Sequence, residues 1–157
     1  MIMSGDVIFY RPEGPVGWII SKVSRSPYSH VSLAIDSNTV IEADRFVKSR
    51  FADLTYNKEI HHVYRLRDVT EAQRQKIVEV ASTFTGVGYN YSKIVSLFLR
   101  LVFNVTKSPF NNANKLICSD IIDKAFIMAK VPRADTNNMM NLTPQELLSE
   151  YDLVRVL

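Results

Sequence analysis

A single cysteine among 157 residues is the scarcity that says most about this chain. One thiol cannot close an intrachain disulfide, so nothing points to a small stapled scaffold. One cysteine and three histidines, with no CxxC or HxxxH spacing, make a poor zinc site, and no metal or organic cofactor is expected. Charge of one sign is equally scarce. Nineteen basic against 16 acidic residues leave a net charge of +3, scattered along the chain, which argues against a nucleic-acid partner. Long apolar runs are missing too. The most apolar stretch, Ile94 to Val105, contains Arg100 and is shorter than the roughly 20 residues that span a bilayer. Its plain reading is a buried helix. Its sharper reading is an apolar wall or lid beside a site, offering apolar or lipid contact without a membrane span. The opening residues Met1-Ile2-Met3-Ser4-Gly5-Asp6 have neither a basic n-region nor an apolar h-region, so no signal peptide is read and a cytoplasmic location is expected.

What is present fits one domain over residues 1–157, with 46% hydrophobic and 22% charged residues. Asp6 to Tyr10 reads as a short strand. Val16, Ile19, Ile20 and Val23 recur at a helical period. Val31, Leu33 and Ile35 alternate with Ser32 and Ala34, a strand. Asp36-Ser37-Asn38-Thr39 is a turn, Val40 to Ala43 the returning strand, and Ile60 to Leu66 another. Thr70-Glu71-Ala72-Gln73 is a capping box opening a helix to about Phe84. Tyr91 to Phe103 reads as a helix, Ser108 to Asn114 as a loop, and Cys118 to Lys130 as a helix stopped before Pro132. Thr143 caps a short helix with Pro144 at its first position. Leu153 to Leu157 is a closing strand. Strands early and helices late predict an α+β fold, a small antiparallel sheet packed against helices.

Three residues carry chemistry. Cys118 stands where an apolar stretch turns into a helical pattern, with Ile121, Ile122, Ala125, Phe126 and Ala129 on one face. A thiol attacks only as thiolate, which a helix start and a nearby base both favour. Alone, Cys118 reads first as an inert core thiol, since free cysteine is among the most buried residue types. His30 opens an alternating strand, on the face of Ser32 and Ala34, where small neighbours leave room for a substrate or a second side chain. Glu42 lies in an apolar strand, and a glutamate there needs a partner. His30 is the natural one, because a carboxylate on one ring nitrogen fixes the tautomer that makes the other a base. Asp44 is the reserve third member. His61 and His62 are adjacent on a strand, point to opposite faces, and read as structural. Asp120 and Asp123 are explained by the helix dipole alone.

Gly5-Asp6-Val7-Ile8-Phe9, Ser29-His30-Val31-Ser32-Leu33, Ile41-Glu42-Ala43, Gly88-Tyr89-Asn90-Tyr91, Ile117-Cys118-Ser119-Asp120-Ile121-Ile122 and Leu142-Thr143-Pro144-Gln145-Glu146-Leu147 follow one another in this order. Together they resemble the circularly permuted branch of the NlpC/P60 papain-like superfamily, the YiiX/YaeF-like proteins, in which histidine precedes cysteine. The resemblance covers nearly the whole chain. It implies Cys118 as nucleophile, His30 as base and Glu42 as its orienting residue. Tyr89 matches the tyrosine of a Gly-x-x-Tyr-Asp stretch, with Asn90 in place of Asp. The backbone N–H of Cys118 or Ser119 would hold the oxyanion. The function it implies is a thiol hydrolase cleaving an amide bond, with a cell-wall (murein) peptide as the leading substrate. The alternatives are an acyltransferase, amidase or esterase acting on a lipid or N-acyl substrate, and a ligand-binding module with its triad unused.

One expectation is geometric. Glu42 meets His30 only if the two strands around Asp36-Ser37-Asn38-Thr39 pair so that opposed residue numbers sum to 74. This sets Ile35 against Thr39 and Glu42 against Ser32, with His30 as a diagonal neighbour on the same face. An odd sum would turn Glu42 into the core.

Overall fold

The computed structural model describes residues 1–43, 48–89, 115–116, 118–135 and 142–157. Six strands form one antiparallel sheet: β1 (Val7–Tyr10), β2 (His30–Ala34), β3 (Thr39–Glu42), β4 (Arg50–Asp53), β5 (His61–Leu66) and β8 (Leu153–Arg155), in the order β4-β3-β2-β1-β5-β8. A separate parallel pair joins β6 (Gly88–Tyr89) to β7 (Lys115–Leu116). The described helices are α1 (Gly14–Ser24), α2 (Glu71–Thr83), α3 (Cys118–Met128) and α4 (Pro144–Glu150). The fold is α+β, as the segregation of strands and helices predicts. The predicted helix over 91–103, the loop over 108–114 and the apolar stretch 94–105 lie outside the described residues.

The elements form where local chemistry favours them. Thr70 caps α2 by accepting from the Gln73 N–H at 3.2 Å, while Gln73 Oε1 accepts from the Thr70 N–H at 3.0 Å. Thr143 and Glu146 repeat the same reciprocal box at α4. On α3 the predicted apolar face is the buried one: Ile121, Ile122, Ala125 and Phe126 join Ile77, Val80 and Ala81 of α2 over Val7, Phe9, Val31, Leu33 and Ile41 of the sheet. Each large side chain buried there contributes about 1.5–3 kcal/mol relative to exposure.

The other sheet face corrects one expectation. The face of His30, Ser32 and Ala34 is not left open. Ile8, Ala34, Val40 and Val63 pack there under Ile2 and Leu54, and Ser32 is buried with its Oγ 2.9 Å from the Tyr10 hydroxyl. Small side chains here accept a second apolar layer, contributed by segments far away in sequence. Three further strands were not anticipated. β4 is a four-residue, largely exposed edge strand, and β6 and β7 are two residues each. Segments so short carry little periodicity to read.

Candidate active site

His30 begins β2 at the rim of the sheet, opposite Tyr10 of β1, whose ring lies 4.9 Å from the imidazole. Glu42 ends β3. The β2–β3 ladder pairs Leu33 with Ile41 and Ala34 with Val40, and the Ile35 N–H donates to the Thr39 carbonyl at 2.8 Å. Every one of these pairs sums to 74, so the even register is the observed one. Its consequence is the expected contact: His30 Nε2 lies 3.4 Å from Glu42 Oε2. Both side chains are mostly enclosed, 18% and 12% exposed.

Cys118 is the first residue of α3, nearly buried, and its thiol lies close enough to His30 to act on the titration of that ring. Its N–H belongs to the first helical turn, where backbone donors have no intrahelical acceptor. Because Nε2 faces Glu42, Nδ1 is the ring nitrogen left for the thiol. The electrostatics of His30 are a contest. Burial is the strongest single influence and pulls its pKa down. The influences of Cys118 and Glu42, through hydrogen bonding and charge, together outweigh it and push it up to about 10. Glu42 shifts the opposite way. The His30 hydrogen bond lowers its pKa, burial opposes, and the charges of His30 and Arg50 add to the lowering. The arrangement favours an imidazolium held between two acidic groups.

The structure therefore brings Cys118, His30 and Glu42 together. It treats the other singled-out residues differently. The Ser119 hydroxyl is buried and donates to the Leu142 carbonyl, so only its backbone N–H remains for an oxyanion. Tyr89 contributes backbone to β6, paired with Leu116 just ahead of the Cys118 helix, and its side chain lies outside the described residues. Asp44 lies outside them as well. His61 and His62 face opposite ways as expected. His61 Nδ1 accepts from the Asn57 N–H at 3.0 Å beside Tyr10, and His62 Nδ1 lies 2.8 Å from the Tyr28 hydroxyl. Asp123 accepts from the Tyr151 hydroxyl at 2.7 Å and pairs with buried Arg133, a structural task.

One neighbour was missed. Arg50, across the β3–β4 ladder from Glu42, donates from Nη2 to Glu42 Oε1 at 3.2 Å. The available signal was an arginine in a strand-like Arg50-Phe51-Ala52-Asp53 soon after an apolar strand carrying a glutamate, too faint without the register. Among the described residues, no three His, Cys, Asp or Glu side chains converge so as to hold a metal ion. Nor is any helix among them long and apolar enough to cross a membrane.

No family model matches the chain, and no curated protein does. A solved structure does. The chain superposes on the crystal structure of the metalloprotein YiiX from Escherichia coli O157:H7, DUF1105, with a TM-score of 0.68, covering 99% of this chain and 96% of that one. Its fold is similar to that of YiiX. At 18% identity the likeness speaks for the architecture, a small α+β fold shared over nearly the full length of both chains.

Proposed function

We propose that this protein is a cysteine-nucleophile hydrolase of the circularly permuted NlpC/P60 kind, cleaving an amide bond, with a murein stem peptide as its substrate class. The observation that carries the reading is the meeting of the only cysteine, at a helix start, with an enclosed histidine that a carboxylate grips on its far nitrogen. A buried structural thiol needs neither partner. The order His30, Glu42, Cys118 along the chain is that of the permuted branch, and the YiiX-like architecture accommodates it.

In this reading the Cys118 thiolate attacks the carbonyl carbon. The carbonyl oxygen takes up negative charge, and the N–H groups of Cys118 and Ser119 in the first turn of α3 stabilise it. Imidazolium His30 gives its Nδ1 proton to the leaving amine as the C–N bond breaks, leaving an acyl thioester on Cys118. Water then attacks the thioester and passes a proton to Nδ1. The carboxylate product leaves, and the thiolate–imidazolium pair is restored. Glu42 keeps the proton of Nε2 in place throughout and so keeps Nδ1 the working nitrogen. The YiiX neighbour is described as a metalloprotein. The described residues of this chain do not offer a metal a matching set of ligands, and the chemistry proposed here uses protein groups alone.

The test is parallel incubation with murein fragments and with acyl-lipids, using Cys118→Ala as control. The expected result is a new amine and carboxylate from the murein peptide with the unaltered protein and none with the variant. Turnover retained by Cys118→Ala would sink the nucleophile. Turnover of acyl-lipid alone would transfer the reading to the acyl substrate class, whose sequence support lies in residues 94–105, outside the described residues.

A further inference from the structure

Glu42 divides its carboxylate between two cations. Oε2 faces His30 Nε2 at 3.4 Å, and Oε1 accepts from Arg50 Nη2 at 3.2 Å and Nε at 3.4 Å. Arg50 is the residue directly opposite Glu42 in the β3–β4 ladder, so both side chains leave the same face of the sheet and meet without distortion. A free glutamate side chain turns about its terminal bond at little cost. A guanidinium fixed on one oxygen removes that freedom, and the direction of the second oxygen is then set. The second oxygen is the one that holds His30.

We propose that Arg50 is a positioning residue for the Cys118–His30 pair, acting through Glu42. This rests on the hydrolase reading above. The bland alternative is an ordinary edge-strand ion pair, and the Arg50 side chain is 50% exposed, where such pairs add little to stability. The two differ at Cys118. An ordinary surface pair has no effect on the thiol. A bare cation near the site would, by its charge alone, disfavour the imidazolium, so removing it would strengthen the thiolate–imidazolium pair. A positioning residue does the reverse, because its loss lets Glu42 swing from His30. Among the described residues, the groups that face His30 are Cys118 from α3, Glu42 from β3 and Tyr10 from β1, and Arg50 reaches it by way of Glu42.

Iodoacetamide reads the outcome without any substrate, since Cys118 is the only thiol. Its alkylation rate is measured between about pH 5 and pH 8 on the full chain, for the unaltered protein, Arg50→Ala, Arg50→Lys, Glu42→Ala and the double variant. Arg50→Ala is expected to slow labelling near pH 6 roughly five-fold, the upper worth of a half-exposed ion pair. Arg50→Lys, which keeps the charge, should recover part of the loss and guards against a variant that folds poorly. In the Glu42→Ala background, Arg50→Ala should change nothing. Unchanged or faster labelling of Arg50→Ala overturns the proposal while leaving the hydrolase reading intact, and so does an equal slowing in the Glu42→Ala background. If the unaltered protein itself reacts no faster than free cysteine near pH 6, the hydrolase reading fails, and the role of Arg50 with it.

Discussion

Replacing Glu42 by glutamine keeps its size and removes its charge. The magnitude follows from the geometry. Unit charges 3.4 Å apart interact by about 5 kcal/mol at an effective dielectric near 20. Desolvation of the enclosed pair offsets part of this, and a close opposite charge shifts a titration by about 1–3 units in practice. Glu42→Gln is therefore expected to lower the His30 titration, now pushed up to about 10, by about 2 units, or about 2.7 kcal/mol. A second effect is directional. Arg50 will draw the amide oxygen, so the amide NH₂ faces Nε2, and a neutral His30 must accept there. Its proton then sits on Nδ1, the nitrogen needed as the base. The pH dependence has a definite sign. His30 is raised, so its stabilising contribution is complete below its ordinary value near 6.5 and fades as pH climbs through about 10. Glu42 is lowered, so its contribution holds above the ordinary carboxylate range and disappears as pH falls through its depressed folded value. The variant should thus lose stability at neutral pH and converge with the unaltered protein in acid. The assay is an NMR titration of the three histidines, with His30→Ala to assign the resonance, alongside denaturant unfolding at several pH values. An unmoved His30 midpoint in Glu42→Gln would refute the coupling.

Two further expectations concern the frame of the site. Thr143→Ala removes the oxygen that accepts from the Glu146 N–H at 3.1 Å in a part-buried capping box, and urea unfolding should show a loss of about 1–2 kcal/mol. Asp6→Asn weakens the twin contacts to Arg65 at 2.7 Å and 2.8 Å from a fully buried carboxylate; because Arg65 keeps some solvent, the cost should fall near the lower end for broken buried pairs, about 3 kcal/mol, and a thermal melt lowered by less than a degree would contradict it.

The parts of the site that could be read from the sequence are those whose residue types are informative in themselves. A lone cysteine before an Ile121/Ile122/Ala125/Phe126 stripe, a strand histidine and a glutamate in an apolar strand each ask for a partner, and the register brings them within reach. Capping boxes and alternation likewise marked α2, β2, β3 and β5 to within a residue or two. What escaped depended on long-range packing. The second apolar layer over Ser32 and Ala34 comes from Ile2 and Leu54, which no local pattern links to β2. β4 escaped because an exposed edge strand has no apolar face to alternate against, and Arg50 escaped with it. Ser119 invited a functional reading through its neighbour, yet its hydroxyl is tied to the Leu142 carbonyl by the loop that leads into α4.

The meeting of Glu42 and His30 is finally a matter of loop length, and one exposed side chain encodes that length. Asp36 Oδ1 accepts from the N–H groups of both Asn38 and Thr39 at 2.8 Å, closing a tight turn while the Ile35 N–H bonds the Thr39 carbonyl. The backbone donor of Asn38 holds the Asp36 carboxyl below its usual range, with Thr39 adding to it. Three residues, 36 to 38, are thereby set between the paired Ile35 and Thr39, and the sum of 74 propagates to Leu33 with Ile41 and Ala34 with Val40. A loop one residue longer or shorter would flip β3 against β2. Glu42 would then compete with Ile41 for the helix-packed core, where an unpaired carboxylate is costly, and Ile41 would face His30. The apolar pattern of β3 and the turn chemistry of Asp36 select the same register independently. A site split between two strands and a distant helix can tolerate the weak individual signals seen here because its alignment is overdetermined at the hairpin.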